Sequence, residues 1–84
     1  MFIIYKTDAW HSYNSRDIIG LAKTTNGVIR IIEKQVKKEG EELDEYQLYN
    51  LQHLKQTQGY SGEGEFQFES IEENNRIFSE FRIY

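Results

Sequence analysis

The sequence predicts a single α+β domain over residues 1–84, with the element order β-β-α-α-β-(β). Three observations lead to this prediction. Runs rich in β-branched and aromatic residues lie near both ends, two segments with helical spacing lie between them, and clusters of Gly, Asn and Asp separate the segments. The simplest arrangement is a three- or four-stranded, mostly antiparallel sheet with two helices on one face.

The first two segments predict a β-hairpin. Phe2–Thr7 is dominated by β-branched and aromatic residues and precedes the turn-forming Asp8. Residues 18–23 (IIGLAK) are mostly apolar, as expected of a central strand, and Gly20 indicates a bulge or a close backbone approach. Because a single loop joins the two strands, antiparallel pairing is the simplest expectation.

The next segment predicts an amphipathic helix with Thr24 or Thr25 as its N-cap and Gly40 just past its end. The apolar residues recur at helical spacing and comprise Val28, Ile29, Ile31, Ile32 and Val36. The alternative is a strand over residues 27–32 (GVIRII). The helix is favoured because the periodic pattern continues to Val36.

A second helix is predicted after residue 44. Asp44 as N-cap with Gln47 three positions later resembles a capping box. Its apolar side is predicted to comprise Leu48, Leu51 and Leu54, and the helix is expected to end near residue 56 or 57.

The last third of the chain predicts a glycine-rich loop at residues 58–64 and a strand at residues 65–71. Alternation places Phe66 and Phe68 on one face and Gln67 and Glu69 on the other, which predicts a half-exposed strand. Residues 76–84 predict either a last strand or a frayed tail.

Charge and composition narrow the function classes. The net charge is −4, with +1 in residues 1–42 and −5 in residues 43–84, which disfavours a general nucleic-acid binder. The chain has no Cys, which fits a reducing cytoplasm. No stretch approaches the ~20 apolar residues of a membrane helix, and the N-terminal residues lack the basic region of a secretory signal. We therefore expect a cytoplasmic protein without a membrane partner.

The loop of residues 8–17, here called the aromatic loop, is the strongest candidate for a binding site. It is longer than a hairpin turn requires, and it contains Trp, Tyr and Arg, the residue types that dominate binding hot spots. The alternative is structural, with Trp10 covering a small core and His11 on the surface. The candidate binding residues are Trp10, His11, Tyr13, Arg16, Asp17 and, from the glycine-rich loop, Tyr60.

A catalytic version of this loop would use His11 as general base, Asp8 or Asp17 to orient it, and Ser12 or Ser15 as nucleophile. Neighbouring residues rarely place such groups correctly, no nucleophile-elbow pattern occurs, and a small domain offers little concave volume. We therefore predict no catalytic residues, no enzyme activity and no cofactor. The two histidines lack metal-ligand spacing, which predicts no metal site.

Three further features allow other interpretations. The glycine-rich loop lacks a phosphate-binding pattern. If the two helices are antiparallel, this loop is expected at the opposite end of the sheet from the aromatic loop. An acidic cluster at residues 39–45 either mimics nucleic acid or favours the start of the second helix. A basic stripe either follows a nucleic-acid backbone or is the solvated side of the first helix, and comprises Lys23, Arg30, Lys34, Lys37 and Lys38.

The segments YKTDAWHSYNSRDIIGLA and QTQGYSGEGEFQFE together resemble a group of small proteins from gut-type bacteria and their mobile elements. The resemblance covers most of the chain and implies a bacterial cytoplasmic or phage-related origin. It implies no activity, so no site residue is carried over from it.

The sequence thus predicts a non-catalytic interaction domain. Its partner is expected to be another protein, bound through the loop from Trp10 to Arg16, or a second copy paired at an exposed sheet edge as a homodimer. The alternative is a nucleic-acid-linked regulator that uses the basic stripe or presents the acidic half as a decoy.

Overall fold

The structure is a computed structural model that describes residues 1–71. Its elements are β1 (Phe2–Thr7), a 3₁₀ turn (Tyr13–Ser15), β2 (Asp17–Ala22), α1 (Thr25–Lys38), α2 (Glu45–Leu54) and β3 (Glu65–Ser70). The strands form one antiparallel sheet in the order β2-β1-β3. The predicted α+β class is confirmed, and the prediction for residues 76–84 lies outside the described residues.

Strand β1 lies at the centre of the sheet because it pairs with both neighbours. Ile4 pairs with Gly20 of β2 and with Phe68 of β3. The β1–β2 register shifts between Ile4 and Tyr5, so β2 carries a bulge, as Gly20 indicated. Gly20 is also a point of close approach, because a Cβ there would lie 3.0 Å from Cδ1 of Ile31.

Helix α1 follows the predicted pattern. The Thr24 hydroxyl accepts a hydrogen bond from the Gly27 backbone N–H at 3.1 Å and caps the helix. The helix buries Val28, Ile32 and Val36, in agreement with the apolar stripe. Both helices pack on one face of the sheet, around a core of Ile4, Ala22, Val28, Ile32, Val36, Leu51, Tyr60, Phe66 and Phe68.

Helix α2 has the predicted N-cap but not the predicted apolar side. Asp44 accepts from the Gln47 backbone N–H at 2.8 Å, yet Leu54 is half exposed and the buried residues are Gln47, Asn50 and Leu51. The Gln47 side chain can be buried because its amide pairs with the backbone of Gln58, donating to the carbonyl at 2.5 Å and accepting from the N–H at 2.9 Å.

Helix α2 also ends earlier than predicted. Lys55 adopts a left-handed conformation with φ of 59° and ends the helix. The chain then runs beside β3, where the Thr57 N–H donates to the Phe66 carbonyl at 2.8 Å and the Phe68 N–H donates to the Lys55 carbonyl at 3.0 Å. This pairing fixes the start of the glycine-rich loop against the sheet.

The glycine-rich loop and the aromatic loop lie at the same end of the sheet, so the expectation that they lie at opposite ends was wrong. The reason is the register of β1 and β3, in which Thr7, the last residue of β1, pairs with Glu65, the first residue of β3. The half-exposed interpretation of β3 was also wrong, because Glu65 and Gln67 are both buried.

Candidate functional site

The aromatic loop is held in shape by one aspartate. The Asp8 carboxylate accepts hydrogen bonds from the backbone N–H groups of Ser12 at 2.9 Å and Trp10 at 3.0 Å. The Asp8 N–H donates to the Ser15 hydroxyl at 3.0 Å, and that hydroxyl donates to the Ser12 carbonyl at 2.7 Å. The hydrogen bond from Ser12 is the main reason that the pKa of Asp8 lies below its ordinary value.

His11 anchors the loop to the sheet. It adopts a left-handed conformation with φ of 55°, an arrangement that costs roughly 1–2 kcal/mol for a residue with a Cβ. Its Nε2 lies 3.1 Å from the carbonyl oxygen of Thr57 and its Nδ1 lies 3.0 Å from the Gln67 amide. A carbonyl can only accept, so Nε2 carries the proton and Nδ1 accepts in the neutral imidazole.

The Gln67 amide links His11 to Arg16. Because Nδ1 of His11 accepts, we assign the amide nitrogen to that side, where it donates to Nδ1 at 3.0 Å, and the oxygen then accepts from Nη2 and Nε of Arg16 at 2.8 and 2.9 Å. Gln67 is only 8% exposed, so an unpaired amide there would be costly. The Gln67 amide therefore holds two residues of the loop at once, His11 through its nitrogen and Arg16 through its oxygen.

Arg16 lies between two aromatic rings. Its guanidinium carbon is 5.0 Å from the centroid of the Tyr5 ring and 4.8 Å from the centroid of the Tyr13 ring. Nη1 also lies 3.8 Å from a carboxylate oxygen of Glu69. Tyr5 donates to the same carboxylate at 2.7 Å. Burial, followed by this hydrogen bond, raises the pKa of Tyr5 to about 12.

The outer side of the loop presents aromatic surface to solvent. Trp10 is 84% exposed and Tyr13 is 79% exposed. The structural alternative, in which Trp10 covers the core, does not fit this exposure. The loop therefore combines a fixed inner side, formed by His11 and Arg16, with an aromatic outer side.

Of the remaining two candidate residues, Asp17 borders the loop and Tyr60 lies in the core. Asp17 is exposed at the start of β2, next to Arg16 in the chain.

Tyr60 is 7% exposed and belongs to the core on the helix face, where its hydroxyl donates to Glu39 at 3.1 Å. Burial, followed by this hydrogen bond, raises the pKa of Tyr60 above its ordinary value. Lys6 contacts the same carboxylate at 3.1 Å and lies over the Tyr60 ring.

Three groups of the imagined catalytic arrangement, His11, Asp8 and Ser15, are engaged in holding the loop. Both ring nitrogens of His11 have partners on β3 or beside it, and the Ser15 hydroxyl is paired with Asp8 and Ser12.

In the described part of the chain, no group of three His, Cys, Asp or Glu residues is placed to hold a metal ion. Among residues 1–71, no helix has the length and apolar character needed to cross a membrane.

Sequence reasoning missed the residues that receive the loop: Tyr5, Thr57, Gln67 and Glu69. The alternation in β3 did place Gln67 and Glu69 on the face away from the core, and that was the available signal. The alternation gave no indication that His11 and Arg16 of the aromatic loop contact Gln67 on this face, where Gln67 is buried.

Comparisons with protein-family models, curated proteins and solved structures found no match to this chain.

Proposed function

We propose that this protein is an interaction domain that binds another protein through the outer side of the aromatic loop. The observation that carries the proposal is the exposure of Trp10 and Tyr13 on a loop whose inner side is fixed to the sheet. Trp, Tyr and Arg are the residues most often found at binding hot spots, where truncation costs about 2 kcal/mol or more.

Pre-organisation favours this use of the loop. Ordering a free side chain at an interface costs roughly 0.5–1.5 kcal/mol. The Asp8 hydrogen bonds fix the backbone on both sides of Trp10, and the Arg16 guanidinium packs on the Tyr13 ring. Part of the ordering cost is therefore met within the free protein, so that burial of the two rings contributes more fully to affinity.

The proposal places the protein in a reducing cytoplasm, which the absence of Cys supports. It assigns His11 and Ser15 the role of shaping the loop. The loop serves recognition, and the sheet beneath it serves as the rigid support that binding loops commonly use.

The test compares two double variants with the wild-type protein as bait in affinity capture. Trp10→Ala with Tyr13→Ala removes the aromatic outer side of the loop. Tyr46→Ala with Tyr49→Ala is the matched control, because these tyrosines of α2 are 60% and 58% exposed.

We expect the control to retain the partners captured by the wild-type protein and the loop variant to lose them. All four side chains are exposed, and each variant removes one ring contact, Tyr13 with Arg16 or Tyr49 with His53. The free energy of unfolding should therefore change by no more than about 1 kcal/mol in either protein. Equal capture by the loop variant and the control would refute the proposal.

A further inference from the structure

A second surface with distinct chemistry lies beside α1 and β2, away from the aromatic loop. It is a groove of about 350 Å³ lined by Ile19, Arg30, Ile31, Lys34, Gln35 and Lys38. The floor is apolar and the rim is basic. No part of the proposed function uses this groove.

The apolar floor is a consequence of the bulge in β2. The register shift beside Ile4 brings Ile19 toward the helix face, where it packs against the core next to Ile31. Gly20 permits the close approach of Ile31, because any side chain there would meet the Ile31 methyl groups. The two isoleucines remain only partly buried and form a small apolar surface.

The basic rim is a single row of the helix. Arg30, Lys34 and Lys38 are four residues apart, which places neighbouring members of the row ~6 Å apart on one side of α1. All three are exposed. Within residues 1–71 neither ion pair involves them, since those pairs join Lys6 to Glu39 and Arg16 to Glu69.

The structure divides the basic stripe predicted from the sequence. Lys37 lies in a different groove, together with the acidic residues Glu33, Glu41 and Glu42. Among the described residues, the lining of the groove that contains Arg30, Lys34 and Lys38 includes no acidic side chain, although the chain as a whole carries a charge of −4.

The edge of the sheet next to this groove favours an extended ligand. Within the described residues, β2 is an outer strand that pairs only with β1, so its other edge offers backbone groups for strand addition. In an added strand, alternate side chains on one face are ~6.8 Å apart. Three such side chains span ~13.6 Å, close to the ~12 Å of helix rise from Arg30 to Lys38.

We propose that this groove binds an extended acidic segment of a partner protein, in which two carboxylates flank an aliphatic residue at alternate positions. The aliphatic side chain rests on Ile19 and Ile31, and the carboxylates pair with Arg30 and Lys38. A peptide fits better than a nucleic acid because the floor is apolar, the neighbouring strand edge offers amide and carbonyl groups, and the net charge of the protein is negative.

The test is a selection from a random 12-residue peptide library on the full-length protein, followed by affinity measurement of the enriched peptides by fluorescence anisotropy. The test variant is Arg30→Glu with Lys38→Glu. The matched control is Lys23→Glu with Lys37→Glu, which changes the net charge by the same amount at two exposed lysines outside the lining of this groove.

We expect enriched peptides with the acidic–aliphatic–acidic alternation, bound about tenfold more weakly by the double variant and within about twofold by the control. Enrichment that is independent of Arg30 and Lys38 would overturn the proposal. So would tighter binding of a 12-nucleotide DNA by the same row, which would make it a nucleic-acid site, or a dimer that the double variant dissociates, which would make the occupant a second copy.

Discussion

The Nε2–H group of His11 donates a hydrogen bond to the carbonyl oxygen of Thr57 at 3.1 Å, across 46 positions of the chain. This contact joins the loop between β1 and β2 to the segment that follows α2. Because Nδ1 of the same ring contacts Gln67 of β3, one side chain links three parts of the fold. The shape of the proposed binding surface therefore depends on His11 even though His11 is not its most exposed residue.

Replacement of His11 should loosen the loop. His11→Ala removes two part-buried hydrogen bonds and leaves their partners unsatisfied, for an expected loss of about 1–3 kcal/mol in the free energy of unfolding. His11→Gly should lose roughly 1 kcal/mol less, because glycine accepts the positive φ without strain. Urea denaturation measures both, and His53→Ala on the exposed surface of α2 is the control. Equal stability of His11→Ala and the wild-type protein would contradict the anchoring role.

The tautomer of His11 is a second expectation. In the neutral ring, nitrogen NMR should show the proton on Nε2, since Thr57 offers a carbonyl and the Gln67 amide donates to Nδ1. His53 packs on the Tyr49 ring, has no such partner among residues 1–71, and should give averaged signals. The Gln67→Leu substitution removes the amide oxygen that accepts from Arg16. Because the Arg16 guanidinium packs on the Tyr13 ring, the signals of that ring should shift in this variant. A proton on Nδ1 in the wild-type protein would contradict the described network.

The loop should respond to acid through Asp8. Its pKa is lowered chiefly by the hydrogen bond from the Ser12 N–H, so the folded loop favours the carboxylate. The stability that the Asp8 carboxylate contributes to the folded loop is complete above the ordinary pKa of an aspartate. It is lost as the pH falls through the lowered pKa of Asp8. The amide signals of Trp10 and Ser12 should therefore shift in the pH interval below about 4, the ordinary pKa of an aspartate. Asp8→Asn keeps an acceptor that does not titrate, and its Trp10 signal should stay unchanged over that interval. The same shift in both proteins would rule out Asp8 as its source.

Gly64 should be the least replaceable glycine at this end of the sheet. It has a φ of 71°, and a Cβ there would overlap the carbonyl oxygen of Thr7. Gly64→Ala should therefore lower the free energy of unfolding by about 2–4 kcal/mol. Gly40 has a similar φ of 77° but open space around it, so Gly40→Ala should cost only about 1 kcal/mol. Thermal denaturation separates the two, and equal losses would mean that the overlap at Thr7 is relieved.

The fold was predictable from the sequence where one local pattern determines the structure. The β-branched and aromatic composition of β1, the apolar spacing in α1 and the Asp44 cap each act within a few residues, and the structure agrees with them. The apolar side of α2 was predicted wrongly because burial of Gln47 depends on the backbone of Gln58, which lies in another segment. A hydrophobic pattern gives no indication of such a partner.

The candidate site was predictable in composition but not in arrangement. The residue types of the aromatic loop indicated binding, and Trp10 and Tyr13 do lie on its surface. The network beneath them depends on contacts of Arg16 with Gln67 and Glu69, and both of these residues lie far from Arg16 in the chain. Tyr60 has the same residue type as Tyr13, and its local sequence gave no reason to expect its burial in the core.

The most direct test of the account is site-specific photo-crosslinking from the aromatic loop inside the cell. The photoreactive residue p-benzoyl-phenylalanine replaces Tyr13 in one protein and Tyr49, an exposed tyrosine of α2, in another. The account predicts a discrete crosslinked protein from position 13 that is absent from position 49 and is lost when Trp10→Ala is added. Crosslinking to the same protein from both positions, or persistence of the product in the presence of Trp10→Ala, would contradict a binding surface at the aromatic loop.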